Sequence, residues 1–328
     1  MAVKVSVHIL AKETDGFGKL LFKSCIECLL LARYAHEIII IDNGCREDIV
    51  SLADSLLKEA VADGVLHNYV IHKQLGTDDF SALRNKAMEL MSPEANRLHW
   101  IDTDECYPEF TLNEIKNICE VKDPAAIRLN FFHHMISPSL YQEIYPKVNV
   151  YKIVPGLKWE FKVHEHLVGY NKEDIYETGL YYLHFGYVRP QWQQAIKWLK
   201  YDVWDRGHAN GYREYRDDEN SPTKDYYRDD RTPDQCLDDR IPHCKEFDFN
   251  KWTFSIPFAD NVLDKWAKSG LEWKEWVNRE VGPSSSIDGV VVPGSDFWRE
   301  WQNKRVELGS WKSTIGWCCE ELGFKEKI

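Results

Sequence analysis

The chain has 328 residues, of which 44% are hydrophobic and 29% charged, enough for one large α/β domain with an appendage or for two modest domains. A net charge of -12 argues against a broad nucleic-acid-binding surface, which needs clustered Lys and Arg. No run reaches the roughly 18–20 apolar residues of a membrane helix, and the N-terminus enters a strand-like run with no secretory signal. The reading is a soluble, cytoplasmic chain. Its nine cysteines are odd in number and irregularly spaced; Cys25-Ile26-Glu27-Cys28 has no second matching pair, so reduced, buried thiols are expected in place of a structural zinc.

Taken in order, Val3 to Leu10 reads as a buried strand, Gly16 and Gly18 as a loop, and Leu20 to Ala32 as a helix with a 3.6-residue apolar repeat. Glu37 to Asp42 carries four consecutive isoleucines, the pattern of a parallel strand covered on both faces, and stops at Asp42-Asn43-Gly44, a turn signal. Ile49 to Ala62 predicts a helix, Val65 to Ile71 a strand, and Phe80 to Met91 a helix closed by Pro93. The short apolar segment His99-Trp100-Ile101 runs into Asp102-Thr103-Asp104; Leu112 to Cys119 is helical and Ala125 to Phe132 a strand.

Strands alternating with helices predict an open, mostly parallel α/β sheet, with ligands bound beyond the carboxyl ends of its strands. Asp42 and Asp102 both sit at such ends, so their convergence on one cleft is expected. Beyond Val150 the pattern changes. Tyr151 to Val163 and Ile175 to Tyr187 read as strands and Trp192 to Trp204 as an aromatic-rich helix. The expected organisation is a main domain over residues 1–212, a charged loop or linker over 213–245, and a smaller Trp-rich, mainly helical region over 246–328.

Asp102-Thr103-Asp104 carries most of the chemistry. Two carboxylates flanking one residue after a buried strand suit a hard divalent cation, Mn2+ or Mg2+, that also takes phosphate oxygens and water. Arg84 has the planar fork that meets phosphate bidentately. In Trp159-Glu160-Phe161-Lys162-Val163-His164-Glu165-His166 a carboxylate stands beside a histidine and an aromatic residue, a setting for a general base. The spacing of His164-Glu165-His166 is not that of a zinc protease.

These segments, in the order Val5-Ser6-Val7, Ile38 to Gly44, Leu83-Arg84-Asn85 and Trp100 to Glu105, resemble the family 2 glycosyltransferases over roughly residues 1 to 190. Asp42-Asn43-Gly44-Cys45 departs mildly from that family's Asp-Asp-Gly-Ser-like turn. The resemblance implies a GT-A (Rossmann-like) fold and sugar transfer from a nucleotide-sugar, a UDP-sugar first among candidates, to an acceptor hydroxyl with inversion. It implies that Asp42 contacts the base or ribose of the donor, with Arg84 and Asp102 also on the donor side. By the same resemblance Asp104 is expected as the direct metal ligand, with Asp102 reaching the metal or the ribose and His184 completing the shell. Trp159 and His164 are expected to line the acceptor side, and Glu165 to be the base, with Glu160 the second choice. The acceptor is open; a nucleic-acid acceptor is compatible with the sequence but unsupported by it.

Competing readings are a nucleotidyltransferase, a nicotinamide-dependent Rossmann enzyme and a non-catalytic sugar-binding protein on a degenerate transferase scaffold. The dinucleotide reading has Gly16-Phe17-Gly18 after the first strand and Asp42 after the second, but Leu21 stands where the third glycine belongs.

Overall fold

The computed structural model describes residues 2–75, 79–162, 165–189, 244–249 and 256–281. The expected helix at Trp192 to Trp204, nearly all of the 213–245 linker, and the C-terminal region beyond 281 lie outside these residues, as does His164. One compact unit gathers the chain up to Val188 together with Lys245–Trp276. None of the helices described is long and apolar enough to cross a membrane.

The unit is a mixed α/β structure around a sheet with nine strands among the described residues. The main strands are β1 (Val5–Ala11), β2 (Glu37–Asp42), β3 (Asn68–Lys73), β4 (Arg97–Asp102), β5 (Glu105–Cys106), β6 (Ala126–Met135), β7 (Leu140–Lys152) and β10 (Ile175–Tyr187), in the order β3-β2-β1-β4-β7-β6-β10-β5. Along this path β7 and β5 run against the rest, so the sheet is mostly parallel. A short strand, β11 (Lys245–Glu246), pairs with β7, and β8 (Lys158–Glu160) with β9 (His166–Val168) forms a separate hairpin.

The sequence pattern explains the layers. Every residue of β2 is buried. Ile38 and Ile40 join Val5, Val7, Ile9 and Ile101 beneath α1 (Gly16–Leu31), α2 (Glu47–Ala62) and α4 (Glu109–Val121). Ile39 and Ile41, pointing the other way by the two-residue period, meet Leu83 and Ala87 of α3 (Phe80–Glu89). On that second face the hairpin adds Trp159 and Leu167 to Leu98, Trp100, Ala126 and Tyr151.

Three segments differ from the sequence expectation. Tyr151 to Val163, expected as strand, holds only the end of β7 and the short β8, separated by a turn. Gly16 and Gly18 lie in the first turn of α1, which Asp15 caps by accepting from the Gly18 N–H at 2.6 Å; a side-chain cap starts the helix despite the two glycines. The long strand β7 has no counterpart in the sequence reading, because Glu143, Pro146 and Lys147 interrupt its apolar pattern. Its pairing with both β4 and β6 makes the strand. Past the sheet, a π-helical turn (Ala259–Leu263), α5 (Asp264–Ser269) and α6 (Trp273–Val281) follow. Trp273 and Trp276 meet Phe17 of α1 edge-on at 5.7 and 6.2 Å, so these tryptophans serve packing. The described cysteines are free thiols.

His8, His99 and His134 are buried, and burial holds each imidazole down to about 3. They fold neutral and take up protons only on unfolding. Their contribution is therefore intact above the ordinary value of 6.5 and is lost as pH falls from there toward 3. Each should cost about 1.4 kcal/mol of stability per pH unit in that window. Urea unfolding at pH 7.5 and 5.5 checks this. His134→Phe, among the rings of Phe185 and Phe247, should lower the pH slope by about one proton, and an unchanged slope would refute the assignment.

Candidate functional site

Strand order reverses at β1, which pairs with β2 on one side and β4 on the other. Such a switch point opens a crevice at the carboxyl ends of the strands. Asp102 ends β4 there, paired in register with Leu10 of β1, and Asp42 ends β2, paired with Ala11. Asp42 is buried, and its Oδ1 accepts from the backbone N–H groups of Gly44 and Cys45 at 3.0 and 2.7 Å. That oxygen shapes the turn; Gly44, at φ +108°, supplies the backbone conformation the turn needs.

Arg84 is 4% exposed. Its guanidinium carbon lies 4.1 Å from the ring centre of Trp100 and 5.2 Å from that of Trp159. Nε donates to Glu165 Oε1 at 2.5 Å and Nη2 to Asp102 Oδ1 at 3.1 Å, while the buried Nη1 has no hydrogen-bond partner among the described residues. Burial opposes this charge, but Glu165 and then Asp102 outweigh it and raise the group above its ordinary value. Arg84 thus joins the Asp-x-Asp segment to the Glu165 segment, 81 residues away from it in sequence.

Neighbouring Asn85 holds the hairpin. Its side-chain amide donates to the Trp159 carbonyl and accepts from the Trp159 N–H, both at 2.9 Å. The Phe80 N–H adds a bond to the Lys162 carbonyl at 2.8 Å. Trp159, expected on the acceptor side, is 2% exposed and meets Trp100 edge-on at 5.4 Å, so it backs Arg84 from within the core. Glu160 is partly exposed and pairs with Lys158 at 3.2 Å, apart from this cluster.

Lys147 was not legible in the sequence. From β7 its ammonium lies 3.7 Å from Asp102 Oδ2, 3.2 Å from Glu105 Oε1 and 3.8 Å from the Trp100 ring centre. Partial burial opposes the charge on Asp102, but Lys147 and Arg84 hold its carboxyl down to about 2. Glu105, fully buried and bonded by the Tyr107 hydroxyl at 2.9 Å, behaves oppositely: burial pushes it up to about 7 against the pull of Lys147.

Asp104 and His184 lie together, with His184 Nε2 3.6 Å from Asp104 Oδ1. The antiparallel β5–β10 pair sets this contact by placing His184 opposite Glu105. His184 Nδ1 lies 3.0 Å from His133 Nδ1, the rings stacked at 4.9 Å, which turns Nε2 toward the carboxylate. A Cβ on Gly186 would stand 2.8 Å from Asp104 Oδ2 and 2.9 Å from His184 Nε2, so both groups close over this glycine. An oxygen and an imidazole nitrogen facing one space fit two positions of a Mn2+ or Mg2+ shell that takes the rest from phosphate and water. Asp102, engaged by Arg84 and Lys147, does not complete a tight three-ligand set with them; among the described residues that description belongs to another cluster, His36, His67 and Glu94.

The start of α1 does not offer a dinucleotide cradle. Glu13 lies over Gly18, its Oε2 2.1 Å from where a Cβ would stand, and its Oε1 accepts from the Thr103 hydroxyl at 2.5 Å. Asp15 caps the same turn. Two carboxylates therefore stand where a pyrophosphate would need the helix N-terminus.

Replacing Arg84 with Met would leave Asp102 and Glu165 without their shared cation. It should cost about 3–5 kcal/mol of stability, with Arg84→Lys recovering only part because an ammonium lacks the fork; urea unfolding of both variants checks this. Gly186→Ala should separate Asp104 from His184 and abolish any Mn2+-dependent rise in Tm, with a far smaller change in the metal-free Tm.

Neither the family models nor the curated proteins contain a match to the chain. Solved structures do show similarity. The Staphylococcus aureus TarS 1–349 crystal structure is 13% identical, covering 41% of this chain and 36% of that one, at a TM-score of 0.32. A second S. aureus TarS structure is 12% identical, covering 68% and 45%, at 0.39. The 4-diphosphocytidyl-2C-methyl-D-erythritol synthase from Anaerococcus prevotii is 12% identical, covering 52% and 70%, at 0.27. The chain thus spans less than half of either TarS chain. At these scores the likenesses identify neither a family nor an activity, and the functional reading rests on the side chains described above.

Proposed function

We propose that the chain is a metal-dependent glycosyltransferase that moves a sugar from a nucleoside-diphosphate donor to an acceptor hydroxyl, with inversion. The observation that carries this reading is the bridge from Arg84 to Asp102 and Glu165. It puts a donor-side carboxylate and a candidate base on one guanidinium at the switch point, beside the Asp104–His184 pair.

In this reading Asp104 and His184 hold Mn2+ or Mg2+, with Asp102 reaching the ion through water or meeting the ribose. The ion, when bound, supplies positive charge that stabilises the departing diphosphate. Asp42, at the end of β2, faces the nucleoside. Arg84, paired with Asp102 and Glu165, places positive charge on the donor side of the site. Glu165, fixed by Nε of Arg84, takes the proton of the acceptor hydroxyl as its oxygen bonds the anomeric carbon and the bond from that carbon to the diphosphate oxygen breaks. Trp100 and Trp159 form the apolar wall that keeps the guanidinium in place. A UDP-sugar is the first donor to test; the acceptor class stays open.

Thermal denaturation with UDP and with NAD, each with and without Mn2+, tests the reading. UDP with Mn2+ should raise Tm and NAD should not, with Asp104→Asn losing the metal-dependent part. Glu165→Gln should bind UDP as the parent does while sugar transfer or donor hydrolysis falls at least about 100-fold, the usual size of a general-base contribution. Stabilisation by NAD, or full activity in Glu165→Gln, would overturn it.

A further inference from the structure

A second group of ligand-type side chains lies at the opposite end of the sheet. His36 immediately precedes β2, His67 immediately precedes β3, and Glu94 lies in the loop that leads into β4. These are the amino ends of the strands whose carboxyl ends carry Asp42 and Asp102. The separation is about 20 Å, the length of a six-residue strand.

One ligand atom from each residue lies within 4.8 Å of the other two. His36 Nε2 is 3.8 Å from Glu94 Oε2, near the roughly 3.3 Å edge that two ligands make on tetrahedral zinc with bonds of about 2.0 Å. The His36 and His67 rings lie 4.5 Å apart and nearly parallel. His36 Nε2 is buried and makes no hydrogen bond among the described residues, the Glu94 carboxylate standing just beyond hydrogen-bond distance.

The backbone under all three is fixed by bonds that need no ion. The His36 N–H donates to the Val5 carbonyl at 2.8 Å and the His67 N–H to the His36 carbonyl at 3.1 Å. The Ser92 N–H donates to the buried Glu37 carboxylate at 2.9 Å, and the Glu94 N–H to the Ser92 hydroxyl at 3.2 Å. The backbones of the three ligands are therefore fixed, and closure comes from the exposed side chains: His67 turns out of its stack on His36 so that both ring nitrogens can aim at one ion, and Glu94 rotates toward them. Lys4 opposes a cation here: its ammonium pairs with Glu94 Oε2, and both side chains are well exposed.

We propose that His36, His67 and Glu94 form a zinc site, separate from the candidate catalytic centre, that clamps the edge strand β3 to β2 and to the approach to β4. Two imidazoles and a carboxylate are a zinc ligand set, with water in the fourth position. Lys4 releases Glu94 as the ion enters. Among the described residues β3 closes one end of the sheet and pairs with β2 alone, so a cross-link at its start adds support on that edge.

Titration of the metal-free full-length protein with Co2+, followed by Zn2+ competition and by Tm, tests this. The parent should show the visible ligand-field bands of tetrahedral Co2+, displaced by one equivalent of Zn2+, and a Tm that rises with Zn2+ and falls back with a chelator. His67→Ala and Glu94→Gln, both at exposed side chains, should each weaken binding at least about ten-fold and lose the Tm rise. Asp104→Asn should keep both, which separates this site from the proposed catalytic metal. Lys4→Gln, lacking the competing cation, should bind more tightly. Absence of Co2+ bands in the parent, Zn2+ stabilisation that survives His67→Ala and Glu94→Gln, or an unchanged affinity in Lys4→Gln would overturn the proposal.

Discussion

The site depends on a buried guanidinium held between two carboxylates and an indole. Removing an arginine from water costs several kcal/mol even after the protein relaxes, and Arg84 recovers this through Glu165, Asp102 and the face of Trp100. The dependence is mutual. Asp102 and Glu165 approach one another only because the cation lies between them, and Asp102 keeps its charge because Lys147 and Arg84 both face it. Trp100 serves both cations, with the Lys147 ammonium 3.8 Å from its ring centre.

The rest of the fold delivers the partners of Arg84. The parallel half of the sheet places Asp102 at the end of β4, and α3 lays Arg84 across the second face of the sheet. Asn85, one residue on, bonds both backbone groups of Trp159 and so ties the hairpin to the helix that carries the arginine. Antiparallel β7 and β5 close the other side, one bringing Lys147 and the other setting Asp104 against His184. The two ends of the parallel strands therefore carry different side-chain groups: Asp42 and Asp102 with Arg84 at the carboxyl ends, and His36, His67 and Glu94 at the amino ends.

The short range of the chain says much about this. Four consecutive isoleucines fit a strand covered on both faces, and the Asp42-Asn43-Gly44 turn that ends it follows from local backbone chemistry. The Asp102-Thr103-Asp104 segment, Arg84 and Glu165 stand out by residue type and position, and the fold brings Arg84, Asp102 and Glu165 into direct contact. The glycines at 16 and 18 predict a loop, yet they lie in α1 because a cap from Asp15 outweighs the low helix propensity of glycine.

What the sequence by itself determined is the alternation of buried strands and amphipathic helices, and with it the end of the sheet on which carboxylates gather, since both follow from periods of two and 3.6 residues within short windows. What only the tertiary structure decided is which charges meet. Lys147 lies in a strand broken by Pro146 that exists because β4 and β6 both pair with it. Trp159 is turned inward by its contact with Trp100, and His36, His67 and Glu94 converge from three separate strand starts. Ion pairs and ligand sets act over a few ångströms of space whatever the distance along the chain, and no local pattern encodes that closeness.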